Sequence, residues 1–191
     1  AYASNRVGEF KGWARILLHM RKLTLFIACS LDGYIAGKNG EIDWLFTDQG
    51  YGYQKFFESV DSLLMGRKTW ELGLSFPEYP YANKQVFVFT RKTPAPEQKD
   101  SRATYVEKNI MEFVHELKKK RGKKIWLVGG GEIVHELHAE GLIDEYRIFV
   151  HPLTIGDGIP LFQKWHQTKE LKLKRTKKFN SGLVELNYVK K

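Results

Sequence analysis

The sequence predicts a three-layer α/β domain with a mainly parallel central sheet, helices on both faces and a C-terminal antiparallel hairpin. Two patterns lead to that prediction. Short apolar runs alternate with stretches of helical period, at the spacing of successive β–α–β units. The chain then closes on two alternating runs studded with lysine, Leu171 to Phe179 and Leu183 to Val189, joined by the turn Asn180-Ser181-Gly182.

Leu23 to Ser30 is a continuous apolar run with β-preferring residues, as expected of a strand covered on both faces. A turn-rich loop follows from Asp32 to Gly40, whose glycines permit positive φ and close approach to a ligand; so long a loop in a compact domain is commonly functional. A helix is predicted over Gln49 to Val60, burying Phe56, Phe57 and Val60, and a second strand over Asp61 to Met65. Gly66-Arg67-Lys68-Thr69-Trp70 turns from that strand directly into a short helix. Gln85 to Thr90 reads as a third buried strand, stopped by Pro94 and Pro96. Asn109 is placed to cap a helix over Ile110 to Arg121, with Met111, Val114 and Leu117 on one stripe and Gly122 just past its end. Lys124 to Val128 is the next strand, running without a linker into Gly129-Gly130-Gly131 and a helix to about Glu140; Ile143 to His151 is another strand.

A chain of 191 residues fits one domain, and at that size roughly 70% of the unfolded surface can be buried. With 42% apolar and 28% charged residues the composition is that of a globular protein, and no run of about 18 apolar residues is present to cross a bilayer. Residues 1–20 lack the long apolar core and small-residue cleavage site of a secretory signal. Met20 is a candidate start, so 1–20 read as an extension that need not be native and 21–191 as the domain. Cys29, the lone cysteine, cannot form an internal disulfide and lies in an apolar run, so it is expected as a small core hydrophobe in a reducing, cytoplasmic setting. The formal charge of +9 is peripheral: residues 1–22 carry five basic and one acidic side chain, residues 163–191 nine and two, and the body between is slightly acidic. Nucleic-acid readers carry basic charge interleaved with stacking aromatics on one surface, so neither nucleic acid nor membrane is expected as a partner.

The chemistry gathers at three strand ends, and in open α/β sheets ligands bind beyond the carboxyl ends of the strands. Gly66-Arg67-Lys68-Thr69 sets two cations and a hydroxyl on the first turn of a helix, whose free N–H groups already favour an anion. Thr90-Arg91-Lys92 sets a second hydroxyl and two more cations after the next strand, and Gly129-Gly130-Gly131 lets backbone reach a pyrophosphate with no side chain between. Neither G-x-G-x-x-G nor a P-loop is present. Together the three imply a dinucleotide with an additional phosphate, which favours NADPH over NADH. His135 and His138 lie three apart on a predicted helix with no third ligand placed by the sequence, so no metal is expected; the lysines from 118 to 124 read as a solvated helix end. No serine, cysteine or threonine nucleophile has a recognisable elbow or partner.

The chain resembles the dihydrofolate-reductase superfamily, and more closely its branch containing the C-terminal reductase domain of the bifunctional riboflavin-biosynthesis protein. The marks, over residues 22–190, are Ser30-Leu31-Asp32-Gly33-Tyr34-Ile35-Ala36 with Trp44; Leu64-Met65-Gly66-Arg67-Lys68-Thr69-Trp70; Val88-Phe89-Thr90-Arg91; Val128-Gly129-Gly130-Gly131-Glu132; and Gly156-Asp157-Gly158-Ile159-Pro160-Leu161-Phe162. The resemblance implies a dihydrofolate-reductase-like fold, a homodimer and NADPH as cofactor. By it Ala28 and Ile35 line the nicotinamide pocket, and Gly66 with Arg67, Lys68 and Thr69 holds the 2′-phosphate and pyrophosphate. Thr90 and Arg91 flank the adenine, Gly129, Gly130, Gly131, Glu132 and Ile133 pass under the pyrophosphate, and the loop from Gly33 to Trp44 covers the site. Reduction of a C=N or C=O bond also needs a proton, from a carboxylic acid of raised pKa or a bound water; Asp48 is nearest to the family's acid, Gln49 matches equally by spacing, and Asp32 is either that acid or a brace for the loop. Asp43 before Trp44, where dihydrofolate reductases usually have proline, and the lack of an arginine in Tyr79-Pro80-Tyr81-Ala82-Asn83 count against folate as substrate. The function implied is NADPH-dependent reduction of a ribosylaminopyrimidine-like or pteridine-like acceptor. The alternatives are a dihydrofolate or pterin reductase, a non-catalytic NADPH-binding module and, third, a basic nucleic-acid binder.

Overall fold

The computed structural model describes residues 20–92, 94–164 and 167–191, so the predicted extension lies, but for Met20, outside the described residues. Its elements are β1 (Leu23–Ser30), β2 (Tyr34–Ala36), α1 (Tyr53–Glu58), β3 (Val60–Gly66), α2 (Arg67–Leu74), β4 (Gln85–Phe89), β5 (Ala103–Val106), α3 (Ile110–Lys119), β6 (Lys124–Gly129), α4 (Gly131–Ala139), β7 (Glu145–His151), β8 (Ile159–Pro160), β9 (Leu171–Lys178) and β10 (Val184–Lys190). Eight strands form one sheet in the order β5-β4-β3-β6-β1-β7-β10-β9, and β2 pairs with β8 beside it. The first six strands of that order run parallel, whereas β10 is antiparallel to both β7 and β9, as the terminal hairpin predicts.

The continuous apolar runs are explained by burial on both faces. Leu25, Leu64, Leu127, Val114, Val134 and Leu137 belong to one core cluster, packed under α3 and α4. Leu63, Met65, Val88, Phe56, Trp70 and Trp126 belong to the other, under α1 and α2. Each fully buried aliphatic side chain contributes roughly 1.5–3 kcal/mol. Asn109 caps α3 as predicted, its side chain accepting from the Met111 N–H at 2.9 Å.

Three expectations are corrected. The helix predicted over Gln49 to Val60 is only Tyr53–Glu58, because Tyr51 (φ 44°) and Gly52 (φ 80°) are both left-handed and stop it from starting earlier. Val60 opens β3 instead of closing the helix. Lys118 is not part of a solvated helix end: it is 4% exposed, and its Nζ bonds Asp144 Oδ2 at 2.6 Å and the Leu142 carbonyl at 3.1 Å, so its charge is matched within the fold.

Candidate functional site

Because β6 inserts between β3 and β1, two of the predicted turns are carried to adjacent strand ends. A Cβ built on Gly130 would stand 3.5 Å from the Gly66 amide nitrogen and 3.6 Å from Thr69 Oγ1. Gly130 holds φ 100°, a conformation that favours glycine, and the absence of side chains keeps a shallow cradle open between the two turns. The helices that leave them, α2 after Gly66 and α4 after Gly130, have no side-chain cap on their first N–H groups. Two bare helix N-termini thus face one cradle, the local arrangement that suits phosphate.

The charged residues of the predicted turns follow the ends of β3 and β4. Arg67 and Lys68 are exposed; Arg67 meets Glu71 at 2.6 Å one helical turn on, while Lys68 has no ion-pair partner among the described residues. Arg91, after β4, reaches Glu132 of α4 at 3.1 Å, so the structure joins two sequence-predicted residues from separate motifs. Thr90 Oγ1 donates to the Lys92 carbonyl at 2.8 Å and holds that turn. Ile133 lies under Gly66, 3.3 Å from where a Cβ would stand. Gly131 is buried against Ile159 and the Pro160 carbonyl, which links the glycine run to β8.

The loop after β1 is tied down by Asp32. Its carboxylate accepts from Ser30 Oγ at 2.5 Å, from the Gly156 N–H at 2.8 Å and from the Ile155 N–H at 3.1 Å. Leu161 N–H donates to the Gly33 carbonyl at 2.8 Å, and Tyr34 pairs with Pro160. The first and last sequence marks are therefore one structural unit. The Ser30 hydroxyl first, then the Gly156 and Ile155 amides, hold the Asp32 carboxyl below its ordinary range. Asp48, in the next loop, accepts from the Tyr51 hydroxyl, and that bond likewise holds its pKa down. Neither carboxylate has the raised pKa expected of a proton donor.

Ala28 and Ile35 are both half-buried but pack against different clusters, Ala28 with Phe149, Phe179 and Leu183, Ile35 with the α3–α4 side. Cys29 is buried, and desolvation pushes its thiol up to about 11, so it is inert at neutral pH. His138 lies against the buried Tyr146, Nδ1 to Oη 3.0 Å, and no group of three His, Cys, Asp or Glu fit to hold a metal occurs among the described residues.

Two further residues bear on the site: Trp44, which is among the sequence marks, and His151, which sequence reasoning missed. Trp44 Nε1 is a buried N–H with no hydrogen-bond partner among the described residues, an uncommon state for a buried donor. His151, 3% exposed at the end of β7, packs edge-on against Trp44 and Phe46, at 5.1 and 4.8 Å between ring centres. No sequence signal singles out His151, which reads as the last residue of a strand.

The sheet order and the strand-end turns define the class, an α/β protein of dihydrofolate-reductase-like architecture. The family profile of the RibD C-terminal domain matches residues 21–184. Two uncharacterized proteins of Bacillus subtilis strain 168, YyaP and YwjB, are 38% and 39% identical over 90% and 89% of this chain and 96% and 98% of their own. A putative riboflavin biosynthesis protein from Shewanella sp. PV-4 superimposes with a TM-score of 0.79 at 30% identity, over 89% of this chain and 99% of that one. The Thermotoga maritima diaminohydroxyphosphoribosylaminopyrimidine deaminase/5-amino-6-(5-phosphoribosylamino)uracil reductase shares the fold, with a TM-score of 0.69 at 14% identity over 92% of this chain and 58% of that one. The chain belongs to the RibD C-terminal domain family.

Proposed function

We propose that the protein is a cytoplasmic, homodimeric reductase that takes hydride from NADPH and delivers it to a C=N or C=O bond of a ribosylaminopyrimidine-like or pteridine-like acceptor. The observation that carries this reading is the meeting of two uncapped helix N-termini at Gly66 and Gly130, with Arg67, Lys68, Arg91 and Lys92 on the turns around them. The cradle fits a pyrophosphate, because no Cβ fills it and its N–H groups lack side-chain partners. The four cations fit an additional phosphate. When bound, NADPH supplies the hydride.

In this reading Gly66, Thr69 and Gly129 to Ile133 hold the pyrophosphate, Arg67 and Lys68 the 2′-phosphate, Thr90 and Arg91 the adenine side, and Ala28 and Ile35 the nicotinamide. The loop from Gly33 to Trp44, braced by Asp32, excludes water and aligns the donor and acceptor carbons. The hydrogen bonds on Asp32 and Asp48 favour their carboxylate forms, which supports a bound water, held near one of them, as the source of the proton that completes the reduction. The acceptor class is supported by family membership and by the names of the Shewanella and Thermotoga proteins.

The test is titration of the purified protein with NADPH and NADH at moderate salt, followed by fluorescence, then an acceptor screen against NADPH oxidation. Preference for NADPH with turnover of a pyrimidine or pterin is expected. Binding of neither nucleotide would sink the reading.

A further inference from the structure

The buried imidazole at the end of β7 has bonding that admits one protonation state. Phe46 N–H donates to His151 Nε2 at 3.2 Å, so Nε2 must carry a lone pair. His151 Nδ1 lies 3.2 Å from the Phe149 carbonyl, which only an N–H can satisfy. The ring is therefore neutral, with its proton on Nδ1. It is wedged edge-on against both Trp44, the last residue of the covering loop, and Phe46 two residues on. Trp44 in turn is the residue whose indole N–H is buried without a partner.

We infer that His151 is a positioning residue: as a neutral acceptor for the Phe46 N–H, it pins the Trp44–Phe46 segment beside the end of β1 and so holds the Trp44 indole N–H ready for an acceptor atom of the substrate. The substrate part of this inference rests on the reductase reading, whereas the pin itself is a property of the protein alone. Ser30, the last residue of β1, pairs with His151 in register, so the pinned segment lies beside the strand end that bears the Asp32 loop. Protonation of Nε2 would set a donor against the donor of Phe46 and break the pin.

The titratable groups around His151 do not oppose this. On β1, Cys29 stays a thiol and Asp32, beyond the strand end, is turned to the amides of Ile155 and Gly156. Asp43 on the covering loop and Asp48 on the next one are exposed, and Asp48 accepts from Tyr51. From the hairpin, the neutral side chains of Phe179 and Leu183 close the cluster that Phe46 joins. No carboxylate forms an ion pair with His151 among the described residues. Burial keeps the imidazole below the ordinary histidine range, with the Phe149 and Cys29 backbone acting the other way. The pin accordingly holds at neutral pH and fails as pH falls through that lowered value.

The experiment is amide hydrogen exchange at Phe46, read by NMR on the free protein from pH 7.5 down to pH 4 and corrected for intrinsic rates. Protection in the unmodified protein is expected to fall on the order of tenfold toward the acid end, the equilibrium weight of one hydrogen bond. His151→Gln, which keeps an acceptor and cannot protonate, should hold protection flat across that range; His151→Leu should lose it at every pH. If the reductase reading holds, the acid limb of kcat/KM should follow the same curve and vanish in H151Q. Protection at Phe46 that is independent of pH in the unmodified protein would overturn the inference. Its loss in H151Q at neutral pH would do the same. Absence of turnover, with the exchange results as expected, would overturn the reductase reading and leave the pin.

Discussion

The Asp32 carboxylate accepts the backbone N–H of Gly156 across 124 residues of chain, at 2.8 Å, and the Ile155 N–H beside it. One exposed acid thus ties the loop after β1 to the segment before β8. The bracing alternative raised from the sequence is the role its bonds describe.

Asp32→Asn should therefore loosen the Gly33–Trp44 loop without unfolding the sheet. The folded pKa of Asp32 is lowered, so its stabilising contribution is present above the unfolded carboxylate value of about 3.9 and is lost as pH falls through the folded value. Thermal melts of the wild type and D32N from pH 7 to pH 3 should differ at neutral pH and converge in acid. A constant difference across that range would remove the ionised carboxylate from the explanation.

Gly130→Ala tests the cradle. At φ 100° and ψ 108°, outside the left-handed helical region, a β-carbon strains the backbone by on the order of 1–3 kcal/mol, while its contacts with Gly66 and Thr69, at 3.5 and 3.6 Å, are ordinary. The fold should survive with a modest fall in melting temperature. Nucleotide affinity, measured by calorimetry, should fall more than tenfold because the methyl group occupies the cradle; unchanged affinity would place the phosphates elsewhere.

Arg67 and Lys68 should separate NADPH from NADH. A charge-assisted hydrogen bond contributes about 1.5–3 kcal/mol, so Arg67→Ala should weaken NADPH roughly ten- to hundredfold. NADH, lacking the 2′-phosphate, should lose little. Lys68→Ala should act the same way, since no carboxylate among the described residues competes for that ammonium group. Equal losses for both nucleotides would refute the 2′-phosphate assignment.

Lys118→Met should destabilise the domain by about 3 kcal/mol in urea denaturation, since it leaves the Asp144 carboxylate partly buried with a diminished set of donors. Lys190 at 3.1 Å and the Leu23 N–H at 2.8 Å still reach Asp144, which keeps the loss at the lower end. The double variant K118M/D144L should recover part of it.

Much of this protein is legible in its sequence because local physics determines it. The period and apolarity of the runs specify strands buried on two faces; Asn109 specifies a helix start; the Gly66 and Gly129–Gly131 turns specify where the backbone is bare of side chains. What only the tertiary structure decided is adjacency. β6 pairs with β3 and β1 although β3 precedes it by a long stretch of chain, and that choice, made by burial over the whole sheet, is what sets Gly130 against Gly66 and Thr69. Backbone conformation at Tyr51 and Gly52 shortened a helix that apolar spacing alone would extend. The partners of individual charges were equally hidden: Lys118 read as part of a solvated helix end until the fold supplied Asp144, and the brace that Asp32 could form had no partner until the fold supplied the amides of Ile155 and Gly156. A hydrogen bond depends on where two distant segments end up, and a sequence records only their separation along the chain.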